Sequence, residues 1–387
     1  MTDMNMDRLA GKLAVRPGVP RPHNLVSSRP HWIDQITRGQ PAHAVPARLA
    51  SLFNLCGQSH HLCAELALEA ARGRPGPPSD LARQQLQIET LREHLRRIGL
   101  DWPLQLASDP ETGATIQARS LRALAACPMP WQASTHPQAP VQGLADWLAR
   151  ECLGLPAAQW LVQWDAAPRA WLTAWSAQTP GWLPELLQAC KTAADVAMAG
   201  APALRVHTSE PELRALAGGL LEAPANARQP QWREQCAETG TWTRLHLEHT
   251  QRLDSPWLRL GARLAEAIRL AQPEAAQHSG TQWLQAASLC VAPNEGLAWV
   301  EMARGLLIHH VRLSDSSAKA RVEAYHVIAP TEWNFHPRGA VAQALETLPP
   351  YAAPGVNRSI LMLMTAFDPC VRFDIQHAMP STEAQHA

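Results

Sequence analysis

Lysine is almost missing from this chain: only Lys12, Lys191 and Lys319 stand among the 34 basic residues, and arginine supplies the rest. We read that as a compositional bias of the source genome. Charge of either sign is also missing in excess. The 34 acidic residues balance the basic ones, so the formal net charge is zero. Nothing electrostatic favours nucleic acid or an anionic membrane as partner. No apolar run approaches the ~18–20 residues that a membrane span needs. The opening MTDMNMDRLAGKLAV lacks the basic start, apolar centre and small-residue cleavage site of a secretory signal. The sequence therefore predicts a cytoplasmic protein. No two of the eight cysteines form a CxxC pair, and in a reducing compartment all are expected as thiols, most of them small buried hydrophobes.

What is present is a chain long enough for a sizeable core, with 46% hydrophobic and 18% charged residues. Residues 1–48 are rich in proline and turn formers and predict an extended segment; only Leu13–Arg16 has the character of a short strand. Residues 49–387 predict a single domain, helical over 49–280. A helical pattern runs from about Pro46 to Arg72 and breaks at RGRPGPP. Ser79 or Asp80 caps the next helix, with Gly99 as its stop. A Pro-rich stretch covers Cys127–Pro140. Ser209-Glu210-Pro211-Glu212 starts another helix, with proline in the first turn and acids against the dipole. One more covers about Leu258–Ala271. Over 281–387 the texture changes. Leu297–Leu313 and Arg321–Ala329 flank the polar turn Ser314–Lys319 and predict an antiparallel hairpin. Helices over Gly339–Leu348 and from Val356 follow. The fold class expected is mainly α with a small antiparallel β element.

Four segments, in order along the chain, carry a resemblance. Leu52-Phe53-Asn54-Leu55-Cys56-Gly57-Gln58-Ser59-His60 lies near the start. Glu301-Met302-Ala303-Arg304-Gly305 and Pro330-Thr331-Glu332-Trp333-Asn334 follow. Phe367-Asp368-Pro369-Cys370-Val371-Arg372-Phe373 closes the set, with Gln376-His377 after it. Together these resemble the large subunit of nickel–iron hydrogenases. That family reads R-I/V-C-G-x-C-x-x-x-H, E-A-P-R-G, P-S/T-T-W-N and D-P-C-x-x-C-x-x-H. A weaker match is Arg8-Leu9-Ala10-Gly11-Lys12-Leu13, similar to R-x-E-G-x-L, with Ala10 at the proton-relaying glutamate. The middle of the chain, about 75–280, shows no resemblance.

The departures matter more than the matches. Each cysteine pair keeps one member, Cys56 and Cys370, and has phenylalanine, Phe53 and Phe373, at the other. This pattern resembles hydrogenase accessory proteins of the HupK/HoxV type. The resemblance implies a degenerate large-subunit fold and a scaffold or carrier, not an enzyme. Its cargo would be an Fe(CN)2(CO) unit, and no nickel would be required. Cys56 and Cys370 would be the metal ligands, brought together from opposite ends of the chain. Arg304 would contact the cyanides and offset the buried negative charge, Thr331 would donate a hydrogen bond to a cyanide, and His60 would orient a thiolate. Implied partners are the immature hydrogenase large subunit and small maturation chaperones of the HypC type. It also implies a C-terminus left uncut, because Gln376 stands at the family's final histidine.

Other readings stay open at this point. Cys56 and Cys370 are compatible with plain buried thiols, Arg304 with a structural ion pair, and Thr331 with a turn. Cys56, His60 and Cys63 sit at i, i+4 and i+7 on one helix, where a zinc site can begin. A metal-free chaperone and a divergent hydrogenase are the alternative functions. At least one of His309, His310 and His326 should be exposed by strand alternation, and none is given a role.

Overall fold

A computed structural model describes residues 11–30, 32–53, 55–129, 143–244, 253–272, 283–350 and 353–376. The Arg8–Ala10 part of the weak N-terminal match, most of the Pro-rich stretch, His377 and the tail lie outside the described residues.

The two ends of the chain meet in one small sheet. Strand β1 (Lys12–Val15) pairs antiparallel with β2 (Leu25–Ser27) and parallel with β7 (Arg372–Ile375), placing Leu13 opposite Phe373. Leu13, Val15 and Leu25 point into the main apolar core. The expected strand at Leu13–Arg16 is therefore there, one residue earlier. Neither partner was expected: three and four residues are too few to show a period.

The expected helix from Pro46 to Arg72 is two helices, Val45–Leu52 and Gly57–Ala71, with Phe53–Cys56 as the corner. Apolar periodicity runs across the corner and hid it. Gly57 makes the corner tight, because a Cβ there would lie 2.7 Å from the Ala50 carbonyl oxygen. Ser79 caps the Asp80–Arg96 helix by accepting from the Ala82 N–H. Gly99 does not stop that helix. The chain passes through a wide turn, Arg97–Asp101, into Trp102–Leu106, and Gly99 is small because Leu124 packs onto it.

Helices between 144 and 194 carry Trp160, Trp164 and Trp175 stacked and edge-on in the core. The helix that starts at Glu210 runs to Glu222. The Pro256–Leu270 helix is central: nearly every residue is buried, including Arg259, Arg263 and Glu266. It packs against the Asp80–Arg96, Ala157–Ala166 and Val356–Phe367 helices. The expected helix near Gly339–Leu348 spans Ala340–Thr347, and the last one begins at Val356. No helix among the described residues is long and apolar enough to cross a membrane.

In place of a single hairpin stands a four-stranded antiparallel sheet, ordered β3 (Ala286–Ala292), β4 (Glu295–Met302), β5 (Gly305–Leu313) and β6 (Val322–Ile328). Leu297–Leu313 folds back on itself at Ala303-Arg304, with Met302 paired to Gly305. Gly305 sits at φ +129°, open to glycine and hardly to anything else. The one hairpin expected, turning at Ser314–Lys319, is present as the β5–β6 pair. His309 and His310 are fully buried and His326 is buried too, against expectation. The sheet has no solvent face at β5: the Gly57–Ala71 helix covers one side and a second apolar cluster, with Leu213 and Leu220, the other.

Helix and sheet touch most closely at Gly296. A Cβ there would lie 2.2 Å from the Ala67 carbonyl oxygen and 2.5 Å from the Ala71 nitrogen. Both are backbone atoms, so the helix would have to retreat. Gly296→Ala is expected to cost about 1–3 kcal/mol as overpacking, read as a lower urea midpoint. A wild-type midpoint contradicts this packing.

Candidate functional site

Cys56 occupies the corner between two helices and is 9% exposed. Its carbonyl accepts from the His60 N–H at 3.0 Å. The open N–H groups of the helix that follows are satisfied from outside. Glu89 accepts from the Gln58 and Ser59 N–H groups at 2.7 and 3.0 Å. Burial pushes the Cys56 thiol well above its ordinary pKa, with Arg304 and Arg29 pulling the other way. Cys370 follows the Val356–Phe367 helix, whose C-terminal neighbour Asp368 is left-handed at φ 52°. Thr331, in the short helix Pro330–Asn334, donates its hydroxyl to the Cys370 sulfur at 3.1 Å.

Arg304 projects from the β4–β5 turn and is 3% exposed. Its Nη2 meets Glu93 at 2.6 Å, and its Nε meets the Asp368 carbonyl and carboxylate, both at 3.2 Å. Nη1 is buried with no hydrogen-bond partner among the described residues. Burial opposes the Arg304 charge, yet Asp368, Glu93 and the two thiols outweigh it and raise the pKa. Both cysteines thus lie within electrostatic reach of one guanidinium. The structure brings Cys56, Cys370, Arg304 and Thr331 into one site.

Beneath them lies a buried ionic layer. Asp368 pairs with Arg97, Arg263 at 3.1 Å and Arg304. Burial alone would raise its pKa; the three arginines hold it far below the carboxylate range instead. Glu93 also takes Arg96 at 2.9 Å. Farther down, Glu266 accepts from Arg244 at 2.8 Å and faces His94 at 2.9 Å.

His60 is placed differently from the other four. Its ring stacks on Phe53 at 3.7 Å, and its Nδ1 is 3.0 Å from Nε2 of His309, whose Nδ1 reaches the Tyr325 hydroxyl at 2.8 Å. Burial lowers the His60 pKa, so the ring is neutral. Cys63 turns away to the sheet, toward the Ala298 carbonyl at 3.5 Å. Among the described residues no group of three or more His, Cys, Asp or Glu is arranged to hold a metal ion. Phe53 is half-buried beside Cys56, and Phe373 is half-buried on β7. A cavity of about 770 Å³ near Arg228, Trp232 and Arg338 is lined by none of these residues.

Sequence reasoning missed Arg29, Glu89, Glu93 and Glu332, and gave Asp368 no task. Arg29 follows β2, pairs with Glu332 at 3.1 Å, and lies within electrostatic reach of both cysteines. Its only sequence signal, an arginine before proline in a turn-rich stretch, does not point to a site.

The fold places the chain among proteins built like nickel–iron hydrogenase large subunits. The nickel-dependent hydrogenase family model matches residues 260–373, which hold Arg304, Thr331 and Cys370. The nickel–iron–selenium hydrogenase of Desulfovibrio vulgaris Hildenborough superposes with a TM-score of 0.54 at 15% identity, covering 93% of each chain. That of Desulfomicrobium baculatum gives 0.54 at 12%, covering 89% of this chain and 93% of the other. Higher sequence identity lies elsewhere. The hydrogenase expression/formation protein HoxV of Cupriavidus necator is 40% identical over 98% of both chains. HupK of Rhizobium leguminosarum bv. viciae is 30% identical over 90% of both. The chain belongs to this HoxV/HupK family of hydrogenase expression/formation proteins.

Asp368→Asn leaves the buried Arg263 and Arg304 and the half-buried Arg97 without their shared carboxylate and is expected to destabilise the fold by about 3–5 kcal/mol at neutral pH. Because the folded Asp368 pKa is depressed, its contribution is present above the unfolded value of about 3.9 and fades as pH falls below it. Urea unfolding at about pH 7 and about pH 3 should therefore show the gap between wild type and variant narrowing in acid. A gap that stays constant contradicts the assignment.

Proposed function

We propose that this protein is a maturation scaffold that carries an Fe(CN)2(CO) unit as cargo for the large subunit of a nickel–iron hydrogenase, with Cys56 and Cys370 as its thiolate ligands. The observation that carries this reading is the meeting of two thiols from opposite ends of the chain beside a buried guanidinium that keeps one N–H unpartnered. Thiolates are soft ligands suited to low-spin iron. Fe(II) with two cyanides is neutral, so two thiolates make the bound complex anionic. Arg304 supplies permanent positive charge where that anion sits. Its idle Nη1 is a donor for a cyanide nitrogen, which is costly to bury unpaired. The Thr331 hydroxyl supplies a second donor, to the Cys370 sulfur or, after rotation, to a cyanide. His60 acts at one remove: its neutral ring, wedged between Phe53 and His309, fixes the helix turn that presents Cys56.

A nickel site needs two further thiolates, and Phe53 and Phe373 have none to give. In this reading the chain holds and hands on, with no turnover and no nickel. Its partners are the immature large subunit and a small chaperone of the HypC type, met in the cytoplasm. Names of relatives at 40% and 30% identity support the maturation role. Burial raises the Cys56 thiol further above its ordinary range, so it enters loading protonated. Loading must then release a proton, as metal binding to a thiol does.

Cys56→Ser and Cys370→Ser should each abolish the bound unit while barely changing stability, since serine is nearly isosteric but a hard, poorly ionised ligand. Arg304→Met should weaken retention. Cys127→Ser, away from the site, should leave it intact. All are purified from one maturation-competent background, and the infrared cyanide and carbonyl bands are normalised to protein. Bands of equal intensity in Cys56→Ser, Cys370→Ser and Cys127→Ser sink the carrier reading. Absent bands in the wild type, with large-subunit binding intact, establish the chaperone.

A further inference from the structure

We infer that Arg29 makes the mouth of the two-cysteine site recruit anions, and that Glu332 sets how strongly it does so. The loop that holds Arg29 is pinned by the small sheet. The Arg29 N–H donates to the Ser27 hydroxyl at 3.2 Å, and the Lys12 N–H donates to the Ser28 hydroxyl at 3.0 Å. Gly11, at φ +70°, presses its backbone on the same loop; a Cβ there would lie 2.5 Å from the Arg29 Cα. The side chain is held in place but not sealed in: Arg29 is 17% and Glu332 12% exposed. Glu332 adjoins Thr331, the residue that donates to Cys370. Arg29 lies within electrostatic reach of both cysteines, and Cys370 is the less buried of the two.

The two guanidiniums at this site differ in how far they are already satisfied. Arg304 faces two buried carboxylates, Glu93 and Asp368. Arg29 faces one, through Nη1, and its other guanidinium nitrogens have no hydrogen-bond partner among the described residues. A guanidinium offers five N–H donors and a permanent charge. One carboxylate at 3.1 Å uses little of that capacity. An incoming anion can share Arg29 with Glu332 or displace it. Arg304 holds charge at the floor of the site, and Arg29 meets charge at its entrance. The chemical class recognised is a small anion presented to a thiol. That the anion is a cyanide-bearing iron complex rests on the reading above; the recruitment itself does not.

Alkylation of Cys370 tests recruitment without any cargo. Iodoacetate and iodoacetamide consume the same thiolate and differ in charge, so the ratio of their rates at Cys370, read by peptide mass spectrometry, isolates the field at the mouth. Arg29→Met should lower that ratio about threefold to tenfold. Arg29→Lys should keep most of it. Glu332→Gln, which leaves Arg29 uncompensated, should raise it. The iodoacetamide rate checks that the site keeps its shape. If Arg29→Met does not fold, Arg29→Lys and Glu332→Gln still decide the matter. A ratio unmoved by Glu332→Gln, or unmoved by Arg29→Met, overturns the inference. The infrared bands report on the cargo reading separately, so either idea can fail while the other stands.

Discussion

The rest of the structure hangs on one buried carboxylate. Asp368 gathers Arg97, Arg263 and Arg304, and these four residues come from four different elements. Arg97 begins the wide turn after the Asp80–Arg96 helix, Arg263 lies on the central helix, and Arg304 lies on the β4–β5 turn. A charge of this kind is costly to bury alone and stable only when well paired. The pairing therefore fixes where the C-terminal helix ends against the middle of the molecule. Asp368 itself takes the left-handed conformation, and Cys370, two residues on, lies beside Thr331. The parallel pairing of β7 with β1 then closes the two ends around the site, bringing Arg29 in with the N-terminal segment.

The residues read from the sequence were those whose meaning is local. Each of Cys56, Arg304, Thr331 and Cys370 lies in a short motif with its own signature, and the order of those motifs was enough to expect their convergence. The mainly helical class with a small antiparallel element was legible for the same reason. Arg29 was not, because its role exists only once β1 and β7 have paired across the whole chain. Glu93 and Glu89 lie on a helix whose pattern reads as a solvated face, and only the packing of that helix on the site turns them inward. His309 and His310 show the same limit. Alternation predicts one exposed face, but a second layer over β5 is a tertiary fact that no strand pattern announces.

A fold and a function separate here along identifiable side chains. The solved hydrogenases share the architecture at 12–15% identity, while the relatives at 30–40% identity are expression/formation proteins. What the chain keeps is a pair of thiols with polar support: a guanidinium set in carboxylates, a threonine hydroxyl on one sulfur, and a second arginine at the entrance. Phenylalanine stands at the other position of each motif pair, Phe53 before Cys56 and Phe373 after Cys370. Phe53 packs its ring on His60. On the function proposed above, such a site suits an iron that brings its own strong ligands and takes two from the protein. It also suits release, because two bonds are fewer to break than four.

The number of sulfurs on the iron is thus the quantity on which the account turns. Iron K-edge X-ray absorption on protein purified from a maturation-competent cell measures it directly. The account predicts two sulfur scatterers per iron, the rest of the shell being the linear carbon–nitrogen and carbon–oxygen groups, with both sulfurs assigned by the cysteine variants to Cys56 and Cys370. A shell without sulfur, or one with four, contradicts it.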